Sequence, residues 1–285
     1  MITRRFFLRW LVGLPLVWLV AGRATSAAAQ PVPSVKTMAK ASIGQFFKDQ
    51  QLEYDISFLF FRRAASAKLS FKQGNQKGRY EAALQGETLG VIGLITLYRT
   101  DTIHVVMEEV DAGRRLRAVS MDEYTKVGGS VRKRSHTFDY QRRKWRHDTT
   151  RKSGKIRTVE EDIPEGKVYD DYLTASYNFR FGVYGAIERG KTYTVPTFPK
   201  KGTGSYEVKI ASKQDEERIR KEQRVEADQD REYLIKLTLD PEVTHSKEGT
   251  IEGWLSKDLF PVEGVIKDAV LFGDVRGTLV KSIKG

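Results

Sequence analysis

From residue 51 onward, apolar and polar side chains alternate along most of the chain. A period of two is typical of strands that bury one face and expose the other to water. Turns that contain glycine, such as residues 73–78, separate the runs, so the pattern predicts closely spaced antiparallel strands. The apolar face of the first runs, which we expect to line the core or a ligand cavity, comprises Tyr54, Ile56, Phe58, Phe60, Leu69 and Phe71.

The segment Tyr169–Arg180 has the period of a helix instead. Leu173 and Tyr177 follow its first tyrosine by four and eight residues. An Asp-Asp pair lies near its start, where the partial positive charge of a helix N-terminus favours carboxylates. We therefore expect one helix here, with Leu173 and Tyr177 packed against the sheet.

The strand pattern returns after residue 190, and no repeat of fixed period is present. Two stretches are ambiguous. Gly90–Tyr98 is apolar on both faces, and its glycines among β-branched residues predict a bend or bulge rather than a helix. Asp215–Glu226 holds two charge pairs at helical spacing, but Ile219 and Val225 are its only apolar residues. The sequence therefore favours a solvated β-ribbon or turn there.

Residues 1–29 follow the plan of an export signal. Arg4 and Arg5, with Arg9, form a positively charged start. The uncharged apolar run 10–20 is shorter than the roughly 20 residues that a membrane-spanning helix needs. The first residues resemble the twin-arginine consensus, while an ordinary secretory signal and an uncleaved anchor stay open as alternatives.

The end of this signal carries a cleavage pattern. Ala27 and Ala29 are the small residues of a small-x-small site, so we expect a mature chain that begins at Gln30 in the periplasm. Beyond it, the sequence predicts a tether with a short helix over residues 30–50. Residues 51–285 are expected to form a single β-rich exported domain.

Composition narrows the chemistry. The 285-residue chain has no cysteine, which excludes disulfides, cysteine-bound metals, a thiol nucleophile and a lipid on cysteine. Its four histidines lack metal-binding spacing, and no nucleophile elbow, Walker loop or dinucleotide fingerprint occurs. We expect no metal, no cofactor and no enzymatic activity. Acidic runs at 160–162 and 170–171 leave a hydrolase as an alternative, because paired carboxylates across a cleft can cleave glycosides.

Positive charge is concentrated in one segment. The chain carries 49 basic and 37 acidic residues, a net charge of +12, and loss of the four signal arginines leaves +8. Lys126–Arg157 alone holds 12 basic and two acidic residues. In an exported protein such a segment favours an anionic lipid or glycan as partner rather than nucleic acid.

The densest part of that segment is the candidate anionic contact, which comprises Arg142, Arg143, Lys144 and Arg146. Binding there requires the four cations to cluster on a surface with Trp145 or Tyr140 as an apolar neighbour. The alternative is a solvated hairpin whose charge is offset by the acidic residues of 160–171.

Several soft motifs together resemble a bacterial exported family, domain of unknown function 3108. They are Leu52-x-Tyr54-x-Ile56, Gly90–Tyr98 followed by Arg99, Thr137–Tyr140, Tyr172–Arg180 and the late run Trp254–Val262. The resemblance covers roughly residues 50–283. The most specific motif, LSALYYLR in that family, is LTASYNFR here, with Thr174 and Ser176 at two apolar positions. The resemblance implies an antiparallel, incompletely closed β-barrel or spiral wrapping one central helix.

The sequence is consistent with three hypotheses for the function of this protein. By a looser analogy, that family is similar in shape to periplasmic lipoprotein and lipid carriers. The leading hypothesis is a non-enzymatic binding or assembly factor for an amphipathic envelope component, such as a lipid, a lipoprotein or an anionic glycan. It implies at most peripheral membrane contact. The alternatives are a structural or protein-interaction module without a cavity, and an envelope hydrolase, which a close pair of buried carboxylates would favour.

Overall fold

A computed structural model of the chain describes residues 41–150, 154–200, 203–223, 231–239, 249–270 and 273–283. The predictions for the export signal, with Arg4, Arg5, Ala27 and Ala29, lie outside the described residues. So does most of the expected tether, of which only residues 41–50 are described.

Fourteen strands form one antiparallel sheet. They are β1 (Gln51–Phe58), β2 (Phe61–Gln73), β3 (Arg79–Thr88), β4 (Thr100–Val110), β5 (Arg115–Val127), β6 (Ser130–Asp139), β7 (Lys144–Thr150), β8 (Ile156–Asp162), β9 (Thr192–Lys200), β10 (Thr203–Ile210), β11 (Tyr233–Thr238), β12 (Thr250–Leu255), β13 (Pro261–Val270) and β14 (Gly273–Ile283). Each strand pairs with its neighbour in sequence, except that β8 and β9 are the two edges and β1 pairs with β14. Because the described edges do not pair with each other, the sheet is not closed, which confirms the mainly β, incompletely closed fold.

Helices occupy the connections. They are α1 (Ile43–Phe47), α2 (Gly90–Ile95), a 3-10 turn (Asp111–Gly113), α3 (Tyr172–Phe181) and α4 (Lys213–Gln223). Every residue of α3 is buried, so it is the central helix that the sequence predicted. Asp171 caps its N-terminus, and Gly182 ends it with a φ of 81°, a left-handed conformation that glycine adopts without steric cost.

The first strands and α3 share one core. Tyr54, Ile56, Leu69, Phe71, Leu173 and Tyr177 are all buried in it. The Tyr177 ring packs against the rings of Phe71 at 4.6 Å and Phe47 at 4.9 Å, measured between centroids. The strand alternation therefore delivers aromatic side chains to the helix from β2, while α1 covers the same helix from another side.

Phe60 is not a core residue, and its expected place on the apolar face is wrong. Strand β1 ends at Phe58, which is half-buried, and the chain turns at Leu59 with a φ of 52°. The turn interrupts the alternation, so the Phe60 side chain points outward and is 81% exposed. Its ring pairs with Phe61 at 4.5 Å.

The expected bend at Gly90–Tyr98 is also wrong, because its first six residues form helix α2. The Thr96 hydroxyl donates to the Ile92 carbonyl oxygen at 2.8 Å and stabilises the end of this short helix. Gly93 is required by space, since a Cβ atom there would lie 2.9 Å from the Thr88 carbonyl oxygen.

The stretch Asp215–Glu226 was expected as a β-ribbon or turn, and this expectation is wrong for the described part, which belongs to helix α4. Its one buried apolar side chain, Ile219, packs in a small cluster with Trp254. Buried Glu216 accepts a hydrogen bond from Nε of Arg189 at 2.9 Å. A helix with a nearly polar surface is thus anchored by one apolar and one ionic contact.

Candidate functional site

The C-terminal turn of α3 places a charged side chain inside the protein. Arg180 is 1% exposed, although arginine is seldom fully buried without a partner. Its Nε donates to the Leu259 carbonyl oxygen at 2.8 Å, and its Nη2 donates to Oε1 of Gln50 at 3.0 Å. These contacts join the helix to the residue before β1 and to the connection between β12 and β13.

Aromatic rings surround the guanidinium. Its Cζ lies 4.6 Å from the ring centroid of Phe47, 5.4 Å from that of Tyr177 and 5.6 Å from that of Phe260. Aromatic faces carry partial negative charge and attract cations, most strongly where water is excluded. The rings position the charge of Arg180, but they do not neutralise it.

Three polar atoms in this region have no hydrogen-bond partner among the described residues: Nη1 of Arg180 and the hydroxyl oxygens of Tyr54 and Tyr177. All three are buried. We call Gln50, Tyr54, Tyr177 and Arg180 the Arg180 cluster. Buried polar atoms are nearly always hydrogen-bonded to protein or to ordered water, so these three neighbouring exceptions call for either an ordered water or another polar group.

The electrostatics of the Arg180 cluster are those of a cation without an anion. Burial lowers the pKa of the Arg180 guanidinium, which nevertheless stays protonated. Burial raises the pKa of the Tyr54 and Tyr177 hydroxyls above their usual range, and the charge of Arg180 acts in the opposite direction. Both hydroxyls are therefore neutral donors. Together with Nη1 they offer three donors suited to a carboxylate or phosphate oxygen.

The other end of α3 holds two buried carboxylates. Oδ1 of Asp171 accepts hydrogen bonds from the backbone N–H groups of Leu173 at 2.8 Å and Thr174 at 3.0 Å. Its Oδ2 accepts a hydrogen bond from the Thr174 hydroxyl. Burial raises the pKa of Asp171 to about 6, and these hydrogen bonds partly oppose that shift. Asp171 is thus engaged as the helix cap.

Asp170 is engaged by the fold as well. Its Oδ2 accepts hydrogen bonds from Nη2 of Arg115 at 2.7 Å, from Nδ2 of Asn178 at 3.2 Å and from the Tyr184 hydroxyl. Burial raises the pKa of Asp170, and the nearby Arg115 charge opposes the rise. Asn178 also exchanges two hydrogen bonds with the Leu116 backbone, which fixes α3 on β5. A close pair of buried carboxylates is therefore present, with both members in structural contacts.

The four residues of the candidate anionic contact lie in and beside the turn between β6 and β7. Each has a partner: Arg142 forms an ion pair with Asp139 at 3.8 Å, Arg143 donates to the Ile163 carbonyl oxygen at 2.7 Å, Lys144 pairs with Asp162 at 2.7 Å and Arg146 pairs with Asp148 at 3.0 Å.

Of the two expected apolar neighbours of these cations, Trp145 and Tyr140, only Tyr140 is partly exposed. Trp145 is buried, and the Tyr140 hydroxyl donates to the Tyr169 carbonyl oxygen. Strand β7 alternates and turns the Trp145 side chain toward Phe198, 5.5 Å away between ring centroids, so Tyr140 is the one of the two that can serve as the apolar neighbour. Binding of an anion by the four cations stays a prediction.

Sequence reasoning missed Arg180 and Gln50. The available signal was position: Arg180 follows Tyr177 by three residues and so lies on the buried face of the predicted helix. A charged residue on such a face needs a buried partner. Tyr54 and Tyr177 were predicted correctly as inward-facing residues, but as apolar lining rather than as donors.

Two features are absent from the described residues. No helix among them is long and apolar enough to cross a bilayer. These residues also contain no group of three or more histidine, aspartate or glutamate side chains that could hold a metal ion.

Comparisons with known proteins identify a family. The family model described as "Protein of unknown function (DUF3108)" matches residues 53–280. A crystal structure of a beta-barrel-like protein of the domain of unknown function DUF1849, from Brucella abortus, is similar with a TM-score of 0.47 and 10% sequence identity. That match covers 84% of this chain and 98% of the other. A comparison with curated proteins finds no match.

Proposed function

The chain belongs to the DUF3108 family, and on this premise we propose that it is a non-enzymatic binding protein for an amphipathic component of the cell envelope. The observation that carries the proposal is the buried Arg180 guanidinium, whose Nη1 has no partner among the described residues. An acidic group of the ligand would accept hydrogen bonds from Nη1 and from the Tyr54 and Tyr177 hydroxyls. It would also supply the missing negative charge.

The surroundings of the Arg180 cluster favour a ligand that is apolar beyond its acidic group. Phe47 and Phe260 pack over the guanidinium, and Phe71 packs over Tyr177. A lipid or an acylated molecule with a carboxylate or phosphate has this combination. A soluble glycan lacks the apolar part. If the chain is exported to the periplasm as its first 29 residues predict, such molecules surround it there.

Both alternatives to binding make different demands on the same residues. A structural module needs only an ordered water among Nη1 and the two hydroxyls. A hydrolase needs carboxylates that are free to act on a substrate, whereas Asp170 and Asp171 accept hydrogen bonds from the fold itself. Both oxygens of Asp171 are engaged in this way, which favours binding over hydrolysis, whereas Oδ1 of Asp170 has no partner among the described residues.

The variant Gln50→Glu separates ligand binding from a structural role. Gln50 already accepts a hydrogen bond from Arg180, so glutamate at that position supplies a carboxylate of nearly the same shape. The new charge would neutralise the guanidinium within the protein and compete with an acidic ligand. We expect the variant to fold and to lose the ligand.

The experiment is native mass spectrometry, with lipid extraction, on protein purified from its own compartment. The wild-type protein should retain an acidic amphipathic molecule, Gln50→Glu should lose it, and Tyr54→Phe should retain less. The matched control is Arg218→Gln, which removes an exposed arginine paired with Asp215 and Glu222 and should leave the bound fraction unchanged. A wild-type protein without any acidic ligand, or Gln50→Glu with undiminished ligand, would overturn the proposal.

A further inference from the structure

One end of the sheet, where the β1–β2 and β3–β4 connections lie, exposes an unusual number of large apolar side chains. Of the ten that are exposed in the described part of the chain, seven come from two short segments, 59–60 and 91–98. We call this set the apolar end, and it comprises Leu59, Phe60, Val91, Leu94, Ile95, Leu97 and Tyr98. Single exposed apolar residues are common, but a contiguous group marks an interaction surface.

The two segments are neighbours in space. Segment 59–60 precedes β2 and segment 91–98 follows β3, and these strands pair antiparallel, with Ala65 opposite Thr88. The Leu89 N–H donates to the Ala64 carbonyl oxygen at 2.8 Å. The turn between β5 and β6 lies at the same end of the sheet, because the Gly128 N–H donates to the Leu97 carbonyl oxygen at 3.0 Å.

Packing inside the protein does not account for this composition. Helix α2 has the sequence GVIGLI, and Gly93 is its only buried residue. Val91, Leu94 and Ile95 are exposed and Ile92 is half-buried, so most of its apolar side chains face away from the core, opposite to the usual arrangement of a surface helix. The backbone holds them there in conformations that bulky residues rarely adopt: φ is 52° at Leu59, 57° at Leu97 and 49° at Tyr98. Strain of this kind is concentrated at functional sites.

Cations flank the apolar end. The segments 59–63, 89–98 and 126–132 at this end hold four basic residues and no acidic residue, while β14, whose Gly273 lies against Leu59, contributes one exposed acidic residue, Asp274. The basic residues are Arg62, Arg63, Lys126 and Arg132, and all four are exposed. Arg63 pairs with Asp55, which lies on β1 outside these segments.

We propose that the apolar end docks on an anionic lipid bilayer, with its aromatic and aliphatic side chains inserted at the level of the headgroups and its cations over the lipid phosphates. Aliphatic and aromatic side chains beside lysine and arginine are the composition of interfacial membrane anchors. A protein partner would not require the cations to border the apolar surface. This inference stands independently of the Arg180 cluster and of export, because it rests on other residues.

The candidate anionic contact lies elsewhere. Strand β6 runs from Ser130, beside the apolar end, to Asp139. The turn that carries Arg142 and Arg143 therefore lies at the opposite end of this strand. The two surfaces therefore make separate predictions about membrane binding. Loss of binding on reversal of Arg142, Arg143 and Arg146 to Glu, with the apolar end unimportant, would overturn the present proposal.

The test is sedimentation with vesicles of phosphatidylglycerol and phosphatidylethanolamine. The wild-type protein and all variants begin at the same residue, so that only the substitutions differ. The double variant Phe60→Asp/Leu94→Asp should bind at least about tenfold more weakly, because burial of each apolar side chain is lost. The matched control is Ile283→Asp, which alters an exposed apolar residue at the opposite end of the sheet. This variant should bind like wild type. Equal binding of wild type and the double variant would overturn the proposal.

Two further measurements keep the proposal open to refutation. The chain has no cysteine, so a spin label at Leu94→Cys should report lipid contact while a label at Ile283→Cys reports water. Binding should also be several-fold weaker on phosphatidylcholine vesicles, and on anionic vesicles in salt that shortens the Debye length to about 8 Å. A label at residue 94 in water, equal binding to neutral lipid, or self-association through the apolar end without vesicle binding would each overturn it.

Discussion

Nη2 of Arg180 donates a hydrogen bond to Oε1 of Gln50 at 3.0 Å, across 130 positions of the chain. The contact links the last turn of the central helix to the residue that precedes β1. It is also the only side-chain acceptor that the buried guanidinium has among the described contacts. The same bond therefore serves the fold and the proposed ligand site.

Removal of this acceptor should destabilise the protein. We expect Gln50→Ala to lower the free energy of unfolding by about 2 kcal/mol, because a hydrogen bond to a buried charged group is lost. Chemical denaturation measures the effect. Gln45→Ala is the matched control, since the exposed Gln45 side chain donates to the neutral Tyr80 hydroxyl and loss of that hydrogen bond should cost under about 1 kcal/mol. Equal costs for the two variants would contradict the role assigned to Gln50.

Removal of the unpartnered hydroxyls should have the opposite effect. In ligand-free protein, Tyr54→Phe and Tyr177→Phe should leave stability unchanged or raise it by about 1 kcal/mol each, because an unsatisfied buried donor is eliminated. The measurement is denaturation after delipidation. A clear loss of stability would show that an ordered water satisfies these hydroxyls, in line with the purely structural alternative.

Leu173 tests the position of the central helix. It is buried between α3 and the sheet, and Leu173→Ala should lower the free energy of unfolding by roughly 2–5 kcal/mol. Leu97→Ala, at an exposed leucine, is the control and should cost little. A small effect at Leu173 would mean that the helix does not fill the core.

Asp171 makes stability depend on pH. Burial raises its pKa to about 6, against roughly 3.9 in an unfolded chain. Between these pH values the folded protein binds more protons than the unfolded chain, so stability falls as pH rises, by up to about 3 kcal/mol. Asp171→Asn retains a good helix cap but cannot ionise.

Comparison of these two proteins isolates the effect of that one group. The variant should gain stability relative to wild type as pH rises from about 4 to about 6, and the difference should persist above that range. Denaturation at a series of pH values provides both curves. Parallel curves would show that Asp171 keeps an ordinary pKa in the folded protein.

The export signal remains a prediction from sequence. We expect N-terminal sequencing of the exported protein to begin at Gln30, and substitution of Arg4 and Arg5 by Lys to block export through a twin-arginine route. Undiminished export of the double variant would indicate the general secretory route. Full-length protein that remains in membranes would contradict cleavage after Ala29.

Local patterns were sufficient for most of the fold. Alternation along β1 and β2 placed Tyr54, Ile56, Leu69 and Phe71 correctly, because a strand turns successive side chains to opposite faces whatever its partners are. Helical spacing likewise placed Leu173 and Tyr177. Where the prediction was wrong, at Phe60 and at residues 90–98, a turn or a short helix interrupted the alternation.

The polar helix α4 illustrates a different limit. Its residues carry helical charge pairs, but nothing local shows that Ile219 meets Trp254 or that Glu216 is buried beside Arg189. Those contacts come from strands and loops distant in the sequence. Tertiary packing therefore decided a conformation that propensity left ambiguous.

By itself, the sequence determined the class of fold, the central helix, and the residues that face inward from the first strands. Only the tertiary structure decided that Arg180 contacts Gln50 and the Leu259 carbonyl, and that Phe60 lies at the same end of the sheet as Leu94. The physical reason is that periodicity is a property of the local backbone, whereas a charge and its partner are brought together by long-range pairing. Here the pairing of β2 with β3 brings the segments of Phe60 and Leu94 to one end of the sheet, and the packing of α3 brings Arg180 to Gln50.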